Sequence, residues 1–390
     1  MRFTAAVARN LVIASVTAST LLVLPVSPAS AQTPGTLIAA TAQPDGWHQL
    51  SNGSLVEYWT TRSNGEQVKA TGAMFVPSGP APAGGWPIMA YDHGTSGLGS
   101  GCGGMADPQL APFPEVLSLE ETLLQYFVSK GFAVVAPDYL GLGRFDTGPH
   151  PYLETRTEAT ATLDLVRAAR AANPSLSRSW AVTGTSQGGH AALGTSNLQV
   201  IAAPDLDFRG TIAIDPASDL EKILPIAGPW GPNIPGKAGD GVNGLVVSVL
   251  TGLRAARPDA QVDSYLTERG RHMLDSVGST CLPQTIKLMQ DDSIGDLLSR
   301  PLSEGPLPAV LRDYMTVPTK DYNAPILLLL NATDTTVPSP LHAALAAQFA
   351  ANGVDFSTVV GVGKHGEVDA RMWDGIHAFT DRILAAPTQR

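Results

Sequence analysis

A strand-to-helix turn built around one serine restricts this chain to few architectures. In Ala181-Val182-Thr183-Gly184-Thr185-Ser186-Gln187-Gly188-Gly189-His190-Ala191-Ala192, a short apolar run leads into Gly184-Thr185-Ser186-Gln187-Gly188, and small residues suited to a closely packed helix follow. This is the G-x-S-x-G form of a nucleophile elbow, whose turn lifts a serine hydroxyl above the edge of a sheet. Glycine is wanted on both sides because the turn brings backbone segments too close for side chains. A glycine-rich turn without chemistry would carry the same letters, so the question is whether the chain supplies Ser186 with partners.

The sequence around the elbow alternates apolar strands with helices. Gly46 to Val76 is extended, with a hairpin turn at Ser63-Asn64-Gly65-Glu66, and reads as antiparallel strands at a sheet edge. Trp86 to Tyr91, Phe132 to Ala136, the run at Trp180, Gly210 to Ile214, Pro325 to Leu330 and Phe356 to Val360 are short apolar strands. Between them lie helical patterns. Ser118 and Glu121 read as a capping box ahead of Leu123, Leu124 and Phe127, and a second helix runs from about Glu158 to Ala172. Ser339 and Pro340 read as an N-cap and first position, and Met372, Ile376, Phe379 and Ile383 line the face of a last helix. Strands that are apolar throughout, separated by helices, predict an α/β fold with a mostly parallel sheet covered on both faces. Residues 216–321 break the rhythm, being rich in Gly and Pro at 228–244 and then helical in pattern. They are expected to form a mainly helical cap or lid inserted between core segments 32–215 and 322–390.

The N-terminus reads as a targeting segment. Arg2 and Arg9 precede an apolar stretch from Leu11 to Leu24, and Ala29-Ser30-Ala31 is a small-residue cleavage site, so residues 1–31 are expected to be a signal peptide and the protein secreted. The stretch is too short and too rich in Ala and Thr for a comfortable membrane span. With 25 Lys and Arg against 35 Asp and Glu and no basic cluster, the chain is a poor partner for nucleic acid or an anionic membrane. In an exported chain the two cysteines, Cys102 and Cys281, are expected as a disulfide rather than as free thiols. No metal-binding spacing of His or Cys occurs, and neither metal nor cofactor is expected.

A serine hydroxyl needs a base, and the base a carboxylate to orient it. Ligand chemistry in an open parallel sheet collects at the carboxyl ends of its strands. That removes most histidines: His48 lies before the parallel core, His272 in the insertion, His342 and His377 inside helices, and His150 in a loop away from a strand end. His190 sits one turn into the elbow helix, facing its packing surface. His93 and His365 directly follow strands, and the flexible loop Gly361-Val362-Gly363-Lys364-His365-Gly366 favours His365 as base. Asp334, just past the Leu-rich strand, is preferred as the acid, with Asp215 the alternative. The order Ser186, Asp334, His365 is the chain order of this hydrolase architecture. The developing oxyanion also needs donors. Gln187 supplies a backbone N–H at the elbow, and Thr95 or His93, around Gly94, supplies the second.

The elbow, the His93-Gly94-Thr95-Ser96-Gly97 loop with Cys102 beyond it, Gly131-Phe132-Ala133-Val134-Val135-Ala136-Pro137-Asp138-Tyr139-Leu140-Gly141-Leu142-Gly143, the run from His150 to Ala171, the helical insertion and the Asn331–Pro338 and Gly363–Gly366 segments together resemble the secretory lipase family of α/β-hydrolases. That family comprises bacterial exported esterases and lipases related to the fungal lipase A type. The resemblance covers most of residues 46–385. It implies an α/β-hydrolase fold, carboxylic-ester hydrolysis through Ser186, Asp334 and His365, and a Cys102–Cys281 bridge tying the cap to the oxyanion loop. The expected partner is a small-molecule or lipid ester, with transient contact of the cap at a lipid interface. An acyltransferase on the same three residues, or a non-catalytic binding protein on a hydrolase fold, are the alternatives.

Overall fold

The structure is a computed structural model that describes Met1 and residues 33–107, 114–231, 237–290 and 292–386. The signal peptide read over residues 1–31 therefore lies almost wholly outside the described residues. Among the described residues nine strands form one sheet: β1 (Leu37–Gln43), β2 (Gly53–Thr61), β3 (Gln67–Phe75), β4 (Trp86–Asp92), β5 (Ala133–Pro137), β6 (Leu176–Thr185), β7 (Asp207–Ile214), β8 (Ile326–Asn331) and β9 (Phe356–Gly361), in the order β1-β2-β3-β5-β4-β6-β7-β8-β9. The first three are antiparallel, β3 meets β5 antiparallel, and everything from β5 to β9 is parallel. The edge hairpin turns at the expected Asn64-Gly65. Strand β1 went unread in the sequence because Leu37–Gln43 carries only small and polar residues after Ile38 and is exposed along most of its length.

Helices cover both faces. They are α1 (Pro114–Ser129), α2 (Thr155–Ala172), α3 (Gln187–Ala202), α4 (Leu220–Ile223), α5 (Lys237–Ala256), α6 (Glu268–Val277), α7 (Leu282–Leu288), α8 (Ile294–Leu297), α9 (Leu307–Met315), α10 (Ser339–Ala351) and α11 (Ala370–Ala385). Successive strand residues point to opposite faces, and β4 shows the division. Ile88 and Ala90 join the core beneath α2 and α3, while Met89 and Tyr91 join the one beneath α1 and α11. α10 packs with α3 residue Leu193 over Ile326, Leu328 and Leu330. This is the parallel, doubly covered α/β sheet that the apolar strand runs predict, and the α/β-hydrolase arrangement that the family resemblance implies.

Two helix starts differ from their sequence signals. α1 begins at Pro114, so Ser118 lies inside the helix and not at its start. At α10 the cap position falls on Pro338, and Ser339 is already helical. Capping signals in both places lost to a proline, whose fixed φ suits the first turn. Between β7 and β8 the described residues are helical or irregular, with no strand. Their side chains, among them Val247, Leu250, Leu253, Leu274, Leu297, Leu311 and Tyr314, build a hydrophobic cluster that also takes in Leu98, Tyr152, Leu153 and Val337 from outside the segment. This segment is stitched to the loop after β4. Gly97 bridges Cys281, Leu98 N–H donates to Thr280 O at 2.9 Å, Leu282 N–H donates to Ser96 O at 2.8 Å, and Cys102 and Cys281 form a disulfide. Among the described residues no helix is long and apolar enough to cross a membrane.

Candidate active site

The elbow joins β6 to α3. Ser186 has φ of +59°, an uncommon value for a residue with a side chain. The flanking glycines are there for space. A Cβ on Gly188 would lie 1.9 Å from the carbonyl oxygen of Asp92, and one on Gly184 2.3 Å from the backbone of Gly188. Ser186 N–H donates to Ile214 O at 2.9 Å, tying the turn to the end of β7.

Three loops at the carboxyl ends of β6, β8 and β9 bring Ser186, Asp334 and His365 together. The Ser186 hydroxyl donates to His365 Nε2 at 2.8 Å, and His365 Nδ1–H donates to Asp334 Oδ2 at 2.6 Å. Asp334 Oδ1 accepts N–H bonds from Thr336 (2.8 Å) and Val337 (3.1 Å). Burial pushes this carboxyl up, but hydrogen bonds from His342 and His365, the charge of His365 and the Thr336 N–H outweigh burial and hold it well below the usual carboxylate range. An ionised acid at this place keeps the imidazole in the tautomer that leaves Nε2 free to accept the serine proton.

Asp215, the alternative acid, is buried beside this group without touching His365. Its oxygens accept from Asn331 N (2.7 Å), Asn331 Nδ2 (2.7 Å) and Gly366 N (2.8 Å), so it braces the residue after His365. Asp215, Asp334 and His365 place ligand-type atoms within 4.8 Å of one another. All three are already committed to protein hydrogen bonds.

Ser186 opens into a cleft of about 840 Å³ lined by Gly94, Thr95, Glu120 and His365, with Leu245 and Ile286 among its apolar walls. Gln187 starts α3, and the first N–H groups of a helix lack intrahelical partners. Thr95 faces the cleft with its hydroxyl 2.9 Å from that of Tyr152. His93 does not line the cleft. Its ring lies 4.4 Å from that of Tyr139, and its Nδ1–H donates to Gly94 O at 2.7 Å. Burial lowers it to about 4, so the neutral ring has no proton on Nε2. Its side chain is thus no donor toward Ser186.

Two histidines that sequence reasoning set aside, His150 and His190, and Glu158, which it did not weigh, lie beneath the site. Glu158 of α2, which is buried, accepts from Gln187 Nε2 (2.7 Å), Leu153 N (3.1 Å) and His190 Nδ1 (2.7 Å). His190 Nε2 faces Met315 O at 3.1 Å. Burial lowers His190, but the Glu158 charge and hydrogen bond outweigh it and leave the imidazole raised. The other hydrogen of the Gln187 amide goes to His150 Nε2 at 2.7 Å, while His150 Nδ1–H donates to Leu140 O at 2.8 Å. Burial holds His150 neutral, lowered to about 3, which suits its Nε2 as the acceptor. Strand-end position could not reveal this network, because its members come from helices and from the loop before α2.

A single sheet with helices on both faces, a strained serine elbow and an acid–imidazole pair at the strand ends define an α/β-hydrolase. The sequence pattern of the family described as secretory lipase matches residues 115–374, and the chain belongs to that family and so to the hydrolases acting on esters. No curated protein sequence matches it. Its fold is similar to that of Candida antarctica lipase A, at 19% identity, 92% of this chain and 84% of that one, and a TM-score of 0.71. The rice cell wall degrading esterase LipA from Xanthomonas oryzae matches at 20% identity over 90% of this chain and 97% of that one, with a TM-score of 0.67. A putative hydrolase from Legionella pneumophila matches at 17% identity, 91% and 100% coverage, and a TM-score of 0.72.

Proposed function

We propose that this chain is a secreted serine hydrolase of carboxylic esters that works through an acyl-enzyme on Ser186. The observation that carries the reading is the continuous hydrogen-bond chain from the Ser186 hydroxyl through His365 to Asp334, at 2.8 and 2.6 Å, opening on an apolar cleft. As Ser186 Oγ attacks the acyl carbonyl, its proton passes to His365 Nε2, and Asp334 stabilises the imidazolium. The carbonyl oxygen becomes an oxyanion facing the Gln187 N–H and a donor from the Gly94–Thr95 loop, each worth about 3 kcal/mol in the transition state. The proton then goes to the departing alcohol oxygen. Water, deprotonated by His365, attacks the acyl-enzyme and releases the acid. No step calls on a cofactor. Residues 216–321 act in this reading as a cap whose apolar α5 and α7 side chains receive the acyl chain. Residues 1–31 act as the export signal, in keeping with the disulfide.

The wild-type protein is expected to hydrolyse chromogenic esters, with a chain-length series locating the preferred acyl group. Ser186→Ala should lower kcat by at least about 10⁴-fold. A fluorophosphonate probe should label Ser186 and nothing else. Unimpaired turnover by Ser186→Ala, or labelling elsewhere, would remove the reading.

A further inference from the structure

We propose that His342 is a positioning residue of this ester-cleaving site, a second imidazole that holds Asp334 in place for His365. The inference rests on the proposed roles of Ser186, His365 and Asp334. His342 lies on α10, eight residues past Asp334, and is 2% exposed. Its Nε2–H donates to Asp334 Oδ2 at 3.0 Å, the same oxygen that accepts from His365 Nδ1 at 2.6 Å. One carboxylate oxygen thus serves two imidazoles while the other is pinned by the Thr336 and Val337 amides.

Two features show that this contact accounts for the histidine. First, His342 Nδ1 is buried and has no partner among the described residues. A buried ring nitrogen without a partner costs stability, and an apolar side chain would avoid that cost, so the packing of α10 does not explain an imidazole here. Second, His342 Nε2 also lies 3.6 Å from Asp215 Oδ1, so the ring stands against two buried carboxylates at once. Asp215 has its own donors in Asn331 and Gly366. Among the described residues Asp334 Oδ2 has only the two histidines. Without His342 the carboxylate would keep a single side-chain donor and face Asp215 with no donor between them. Only the Thr336 and Val337 amides on its other oxygen would then set its plane against His365, a looser hold than with a second imidazole on Oδ2. Since His342 touches neither substrate nor the reacting oxygen, its loss is felt in the chemical step and not in substrate binding. Partners that orient metal ligands from behind typically contribute 10–100-fold, and the same scale is expected for a partner that orients a carboxylate.

The test compares three variants. Gln places its amide nitrogen near the imidazole Nε2 and keeps the donor to Asp334, Asn is too short to reach, and Leu has none. With a soluble chromogenic ester, His342→Leu and His342→Asn are expected to lower kcat about tenfold or more, with KM within twofold of wild type. His342→Gln should recover most of the loss. Thermal melts identify variants that do not fold, and if Leu fails, the Asn and Gln pair gives the same reading. Equal loss in Gln and Asn would make His342 a packing residue and overturn the proposal, as would an unchanged kcat in Asn or an effect confined to KM. If the probe fails to label Ser186 in the wild type, the catalytic reading itself falls. Normal labelling with an unchanged His342→Asn removes only the role of His342.

Discussion

Around the first turn of α3 the chain builds two carboxylate–imidazole pairs of nearly equal length. In one, His365 Nδ1 meets Asp334 at 2.6 Å, and in the other His190 Nδ1 meets Glu158 at 2.7 Å. The side chain of His365 is 17% exposed, and its second nitrogen faces the hydroxyl of Ser186 at the edge of the cleft. Neither side chain of the His190 pair is exposed, and the second nitrogen is spent on the carbonyl of Met315. The bond itself therefore does not make an imidazole a base. What matters is whether its far nitrogen meets a nucleophile that an incoming carbonyl can reach. Where it does not, the same pair becomes a buried clamp. Here the clamp fixes Gln187, whose backbone N–H is the proposed oxyanion donor.

Removing each acid separately should break the two pairs in opposite ways. Asp334→Asn offers an amide that cannot hold the required tautomer of His365, and is expected to lower kcat about 10⁴-fold while leaving the fold intact. Glu158→Gln can still accept from Gln187, but leaves a buried imidazole whose raised state has lost its counter-charge. It should cost about 3–5 kcal/mol of stability, read by urea unfolding, with kcat per folded molecule within about tenfold of wild type. A Glu158→Gln protein that is fully stable but as inactive as Asp334→Asn would erase the distinction.

That Ser186, Asp334 and His365 meet, the half to which we assign the proposed chemistry, was legible in the sequence and the clamp was not, for a physical reason. Ser186, Asp334 and His365 each follow a strand, and a parallel sheet delivers the residues after its strands to one edge, so position along the chain stands in for position in space. Glu158 and His190 lie within helices, and His150 in the loop before α2. Which helix faces meet depends on how α2 packs on α3, and no local pattern carries that. His342 illustrates the limit most sharply. Its place inside α10 argued against its being the base, yet the helix returns along the strand end it has just left and sets the ring on Asp334. His93 shows the converse: it follows a strand, but its ring turns away onto Tyr139. The elbow glycines were readable because the approach of Asp92 admits no side chain there.

Glu120 extends the comparison to an acid at the same cleft with no imidazole. It is buried on α1 and accepts a 3.2 Å hydrogen bond from Gly94 N. Burial raises it from an ordinary 4.5 to about 7, the Gly94 bond pulls it down only partly, and the charge of Glu121 pushes it further up. Asp334, with two histidine donors, moves the other way. The sign for stability follows from proton counting. Between 4.5 and about 7 the folded protein holds the Glu120 proton more tightly than the unfolded chain, so this contribution is present at low pH and is lost as pH rises through the folded value. From pH 5 to pH 8 that loss should be about 2–3 kcal/mol. Asp138, raised to about 6, and Asp164, raised to about 7, shift the same way and for the same primary cause, burial. Wild-type stability will therefore fall over this range for several reasons at once. Glu120→Gln carries no proton to lose but leaves Asp138 and Asp164 in place, so the difference between the two unfolding curves isolates Glu120. The variant should be flatter with pH by the stated amount. If the two curves run parallel, Glu120 is ionised in the folded protein and the cleft accommodates a carboxylate without an imidazole beside it.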